Sequence, residues 1–212
     1  MSEQAASPPP DCRLCPRLAE FRDGNRARFP DFFNAPVPSF GDAGARLLIV
    51  GLAPGLKGAN RTGRPFTGDF AGDLLYPTLL KFGLAEGDYG RSTQDGLRLV
   101  GCRITNAVRC VPPENKPATD EIRQCRRFLE AEIDSLANLC AIVALGAVAH
   151  NAVLSARGLV RSRFPFAHGA QHELPDGLVL ADSYHCSRYN TNTGRLTPEM
   201  FESVFDALLD RV

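Results

Sequence analysis

The chain has no net charge, with 24 Lys and Arg against 24 Asp and Glu. That argues against bulk electrostatic adhesion to nucleic acid, so any such binding must come from where the cations are placed. It has no apolar run near the roughly 20 residues of a membrane span. Residues 1–10 have neither a basic start nor an apolar core, so they do not read as a signal peptide. They are small, polar and proline-rich and are expected to be a disordered lead-in to one domain over residues 11–212. The expected location is cytoplasmic, with no membrane partner. Neither the Gly-x-Gly-x-x-Gly dinucleotide pattern nor the Gly-Lys-Ser/Thr triphosphate pattern is present.

What is present is α/β patterning. Residues 46–52, 97–104, 141–145 and 178–182 read as buried strands. Residues 71–82, 120–137 and 147–156 read as helices, the first with Pro77 inside it, where a kink or fresh start is expected. On the second, Ile122, Cys125, Phe128, Leu129, Ile133 and Leu136 share one face. Thr197-Pro198 opens a last helix as a hydroxyl cap followed by proline. Strands alternating with helices predict a parallel sheet covered on both faces, with ligands at the carboxyl ends of its strands.

The unusual residues fall at those ends. A glycine-rich loop over residues 51–69 follows the first strand. Asn106 and Arg109 follow the second. Residues 183–190, including His185, Arg188, Tyr189 and Asn190, follow the fourth. Three loops on one sheet edge predict one composite site. Lys57, Arg61, Arg64, Arg109, Arg188 and Arg195 lie in or beside these loops and read as a locally basic face or as ordinary solvated surface cations. Phe66 reads as a core residue or as a stacking surface for a planar base. Asp69, just ahead of a helix, reads as an N-cap or as a catalytic carboxylate. His185 is the only histidine directly after a predicted strand.

Seven cysteines in a cytosolic chain do not suggest a disulfide framework. Cys102 and Cys140 read as small buried apolar residues. Cys12 and Cys15 form one Cys-x-x-Cys, and Cys110 and Cys125 follow far downstream. Structural zinc usually shows two short knuckles. The wider spacing favours a four-cysteine iron–sulfur cluster.

On these segments the chain resembles the uracil-DNA glycosylase superfamily, and within it the fifth family. The matching stretches are Gly51-Leu-Ala-Pro-Gly55, residues 58–69, residues 105–113 and residues 185–197. The related fourth family carries Glu where Leu52 stands. The resemblance implies a three-layer α/β/α sandwich around a four-stranded parallel sheet. It also implies hydrolysis of the N-glycosidic bond of uracil and other deaminated bases in DNA, hypoxanthine and xanthine among them. Phe66 then matches the aromatic that stacks on the base, Asn106 the reader of its polar edge, and His185 the histidine facing its carbonyl. Gly51 and Ala53 belong to the same substrate-binding wall. Ala53 stands where other members place a water-activating Asp or Asn, and Asp69 matches the carboxylate proposed to replace it. Arg64, Arg188, Tyr189 and Asn190 are the expected DNA contacts, with Tyr189 in the place of the duplex wedge. Cys12, Cys15, Cys110 and Cys125 match the ligands of a [4Fe–4S] cluster. Cys186 replaces a proline common in the last motif. The implied partner is DNA containing deaminated bases, met by a monomer associated with the nucleoid. A non-catalytic DNA- or nucleotide-binding protein with a structural metal is the alternative.

Overall fold

The computed structural model describes residues 7–212. Four strands are buried over their whole length: β2 (Leu47–Gly51), β5 (Cys102–Asn106), β6 (Ala141–Leu145) and β8 (Val179–Ser183). Strands buried over their whole length need cover on both sheet faces. Alternate side chains supply it. Leu47, Ile49 and Val143 pack with Leu75 and Leu79 of α3 (Gly72–Lys81) and Phe201 and Phe205 of α7 (Pro198–Asp206). Leu48, Val50 and Ile142 pack with Leu129 and Ile133 of α4 (Thr119–Ser135) and Ala149 and Val153 of α5 (Ala147–Ala156). The result is the expected α/β/α sandwich.

The parallel order is β5-β2-β6-β8. Two short antiparallel edge strands, β1 (Phe40–Gly41) and β7 (Gln171–Glu173), extend the sheet from the expected four strands to six. Two or three residues are too few to show a period-two pattern. The strand expected over residues 97–104 is broken by Gly101, whose φ is +62°. Its first part, β4 (Arg98–Leu99), leaves the main sheet to pair with β3 (Ala85–Glu86). Helix α3 runs through Pro77 as one element.

Helix α1 (Pro16–Arg28) was not legible, because it is polar on nearly every side. Of the lead-in expected over residues 1–10, residues 1–6 lie outside the described residues. Residues 7–10 are placed: the Pro9 carbonyl accepts from the Cys12 amide at 3.0 Å, and the Pro10 carbonyl accepts from Arg26 at 3.3 Å.

Chain order reverses direction at β2, which is joined next to β5 on one side while β6 lies on the other. A crevice at such a switch point, beyond the strand ends, is the favoured ligand position in open α/β sheets.

Candidate active site

Gly51 ends β2 and is paired with Asn106, which ends β5. No side chain fits at position 51. A Cβ there would sit 2.4 Å from Asn106 Oδ1 and 2.5 Å from Phe66 Cζ. The glycine therefore lets a main-chain strand end back directly onto two of the predicted base-contacting side chains. Phe66 is 5% exposed and has φ +53°, a conformation that costs a bulky residue of order 1–3 kcal/mol and is typical of functional loops. Its ring lies 6.0 Å from that of His185, tilted by 30°.

A clamp outside the pocket holds that strain. Arg64 is 4% exposed. It donates to both oxygens of Asp95 at 2.8 and 2.7 Å and to Thr67 Oγ1 at 2.7 Å. Its guanidinium lies 5.1 Å from the Phe40 ring centre and 5.4 Å from that of Tyr76. This corrects the expectation of Arg64 as a DNA contact: its charge is spent inside the protein. Asp95, held well below the usual carboxylate range by its hydrogen bond to Arg64, had no sequence signal because it lies 31 residues away in an ordinary polar loop. Arg109 is likewise no surface cation. It is 1% exposed, bonded to Glu132 and Ser39, each at 2.7 Å.

Asn106, Phe66, Asp69 and His185 line one cavity, together with Ala53, Pro54, Gly55, Ala59 and Ala71. It shares Ala53, Asp69 and His185 with a broad groove. That groove runs past Lys57 and Phe70, the start of α5 at Gly146 and Ala147, and Ser187 and Arg188. The three loops thus converge as the strand ends require.

The two titratable groups of the cavity are pushed toward neutrality. Burial raises the Asp69 carboxyl, while the amides of Gly72 and Ala71 act the other way. Asp69 Oδ1 is buried with no hydrogen-bond partner. Ala71 stands at the N-cap position of α3 and makes no side-chain cap bond, while the amides that act on Asp69 are those at the start of that helix. Gly58 is needed opposite, since a Cβ there would reach 2.2 Å from Asp69 Oδ2. Burial lowers His185 to about 4, so its imidazole is neutral near pH 7. Its Nδ1 is also buried and unpartnered. Two orphaned polar atoms facing one cavity mark a site shaped for something that supplies their partners.

The loop carrying His185 stays ordered with Cys186 in place of proline. Cys186 is fully buried, its thiol kept protonated by that burial. Asn190 Nδ2 donates to the His185 carbonyl at 2.8 Å, and Ser187 caps α6 (Arg188–Asn192) by accepting from the Asn190 amide. Asn190 is thus occupied with holding the loop. Tyr189, beside it, is 72% exposed. Arg188 is exposed and lies 5.3 Å from the Phe70 ring centre.

Next to the pocket wall at Ala53, Cys12, Cys15, Cys110 and Cys125 line one small apolar cavity with Leu18, Val108 and Phe128. All are free thiols. Burial raises Cys15 to about 11 and Cys110 to about 12, with the neighbouring cysteines adding to the effect. Arg22, 1% exposed, faces this region and lowers Cys110. Its Nη1 donates to the Cys12 carbonyl at 2.9 Å, and its Nε lies 3.6 Å from Asp23 Oδ1. Its Nε and Nη2 have no hydrogen-bond partner.

With the geometry in place, comparison with known proteins is decisive. Residues 38–209 match the family model of the uracil DNA glycosylase superfamily. The chain belongs to this superfamily. It is 50% identical over 198 residues to a type-5 uracil-DNA glycosylase of Thermus thermophilus, covering 91% of this chain and 90% of that one. A type-5 enzyme of Mycobacterium leprae is 45% identical over 202 residues, 92% of this chain and 88% of its own length. A type-4 enzyme of Pyrobaculum aerophilum matches only 58% of this chain, at 34% identity. The fifth-family resemblance of the motifs is therefore supported along nearly the whole chain.

Proposed function

We propose that the protein excises uracil, and other deaminated bases including hypoxanthine and xanthine, from DNA by hydrolysing the N-glycosidic bond. The observation that carries this is the meeting of Phe66, Asn106, His185 and Asp69 at one cavity. On this reading it works as a monomer at nucleoid DNA in the cytoplasm.

A base within a duplex is out of reach, so it must be turned out into the cavity. Exposed Tyr189 fills the gap left behind, as apolar wedges do between base steps. Phe66 stacks on the extruded base, a contact worth about 1–3 kcal/mol. Asn106 reads its polar edge. Bond breaking leaves an oxocarbenium-like sugar and an anionic base, by analogy with glycoside chemistry. Neutral His185 donates an N–H bond to the base oxygen where that charge develops. A single donor of this kind is typically worth about 2.7–4 kcal/mol. Asp69 orients water and takes its proton. The apolar Ala53 offers no group that selects one base, which supports a broad range.

Cys12, Cys15, Cys110 and Cys125 would hold a [4Fe–4S] cluster, which ties the N-terminal segment to α4. The unpartnered N–H groups of Arg22 suit a group that carries net negative charge.

Duplexes bearing one uracil, hypoxanthine or xanthine, incubated with the protein and cleaved by alkali at abasic sites, test the reading. Cleavage at all three is expected. Binding without cleavage favours the non-catalytic alternative, and cleavage at uracil alone removes the broad range.

A further inference from the structure

Near the end of β8, three side chains converge that the excision reaction does not use. His150 of α5 is 1% exposed, and Asp182 of β8 is fully buried. His172 comes from edge strand β7. His150 Nε2 lies 2.8 Å from the Phe164 carbonyl oxygen, which can only accept, so Nε2 carries the hydrogen. The neutral ring then turns the bare lone pair of Nδ1 toward Asp182 Oδ1, 2.7 Å away. A lone pair facing a carboxylate at that distance repels it unless something positive stands between them.

A proton would serve His150 and Asp182 but would leave the third member unserved. His172 Nε2 lies 3.4 Å from the other carboxylate oxygen and is buried with no hydrogen-bond partner. The ligand atoms of all three residues lie within 4.8 Å of one another, and among the described residues no other group of three does so. A divalent cation satisfies all three at once.

We propose that His150, His172 and Asp182 form a structural zinc site. Two imidazole nitrogens and one carboxylate suit zinc better than magnesium or calcium, which prefer all-oxygen shells. The bond from His150 Nε2 to a main-chain carbonyl is the outer contact that metal-bound imidazoles commonly make, and it fixes the tautomer that leaves Nδ1 to bind. The ion ties α5, β7 and β8 together just ahead of residues 183–185. Its role is to set the base of the loop that carries His185.

The test uses iron-loaded protein, titrated with zinc alone and then analysed for metal after gel filtration. One retained zinc equivalent per chain is expected, with iron content unchanged. His172→Gln, on a partly exposed edge strand, should lose that equivalent while keeping its iron. Equal zinc retention in the two proteins would overturn the site. Should the variant fail to fold, nitrogen-detected imidazole spectra of the unsubstituted protein decide. With zinc present, His150 should carry a hydrogen on Nε2 alone. Hydrogens on both nitrogens would mean an imidazolium–carboxylate pair and no metal.

Discussion

Asp69 combines two opposing influences in one carboxylate. Two main-chain amides favour its charge, and burial outweighs them. Its proton therefore leaves at a higher pH than that of a free aspartate, and the acid limb of excision should be displaced upward accordingly. Asp69→Asn should cut single-turnover excision by about 10²–10⁴-fold, the usual weight of a general base. It should also flatten that acid limb and leave duplex affinity intact. Rapid-quench kinetics across pH with gel-shift binding check all three. A variant with near-normal turnover would show that water needs no help from this carboxylate.

His185 shifts the other way. Its folded value of about 4 lies below the ordinary 6.5, so the unfolded chain takes up the proton first. Stability from this group is full above pH 6.5 and falls as pH drops toward 4. The loss is at most about 3.5 kcal/mol, since each unit is worth about 1.4. His185→Gln should be less sensitive to acid between those limits, as read by urea melts at pH 4.5 and 7. Parallel loss in both proteins would assign the acid sensitivity elsewhere.

At the scale of elements, α1 does what its sequence hid. Its polar composition left no stripe to read, and its purpose shows only when Cys12, Cys15 and Arg22 meet Cys110 and Cys125 in space. Cysteine spacing had joined four of these in advance; Arg22 carried no signal, because a buried arginine looks like any other in a sequence. On the proposed cluster reading, Arg22→Gln removes a buried cation that acts on Cys110. Iron should then be lost several-fold faster to a chelator in air, with Arg22→Lys restoring much of the retention. Absorbance near 400 nm follows the decay. Equal decay in all three proteins would reduce Arg22 to packing.

The loops after the strands were more legible than the edges of the sheet. Glycine, Asn and His at strand ends have few structural uses in that position, so residues 51–69, Asn106 and His185 stood out. Edge strands of two or three residues and the Arg64–Asp95 contact did not, since both exist only through partners far along the chain. Arg64 and Arg109 were read as surface charge because a sequence does not show which cations find buried carboxylates.

For the whole molecule, neutrality hides an uneven distribution. Lys57, Arg61, Arg188 and Arg195 are exposed on the loops of the site edge, while Arg103, Arg109 and Arg64 are buried. DNA affinity should fall with salt in proportion to the phosphates met. Replacing Lys57 or Arg188 by Ala should lower the slope of log affinity against log salt by about 0.9 each. Fluorescence anisotropy at several salt concentrations measures it. An unchanged slope would place the duplex elsewhere.

The Arg64 clamp has a consequence for motion. Asp95 also accepts from the amides of Gly90 and Leu97, so one carboxylate joins the segment around Phe66 to a loop that touches no base. The two stretches are expected to open and close together. Their amides should trade hydrogen for deuterium at a common rate, and the damaged base would be met by a surface whose breathing is governed from behind it.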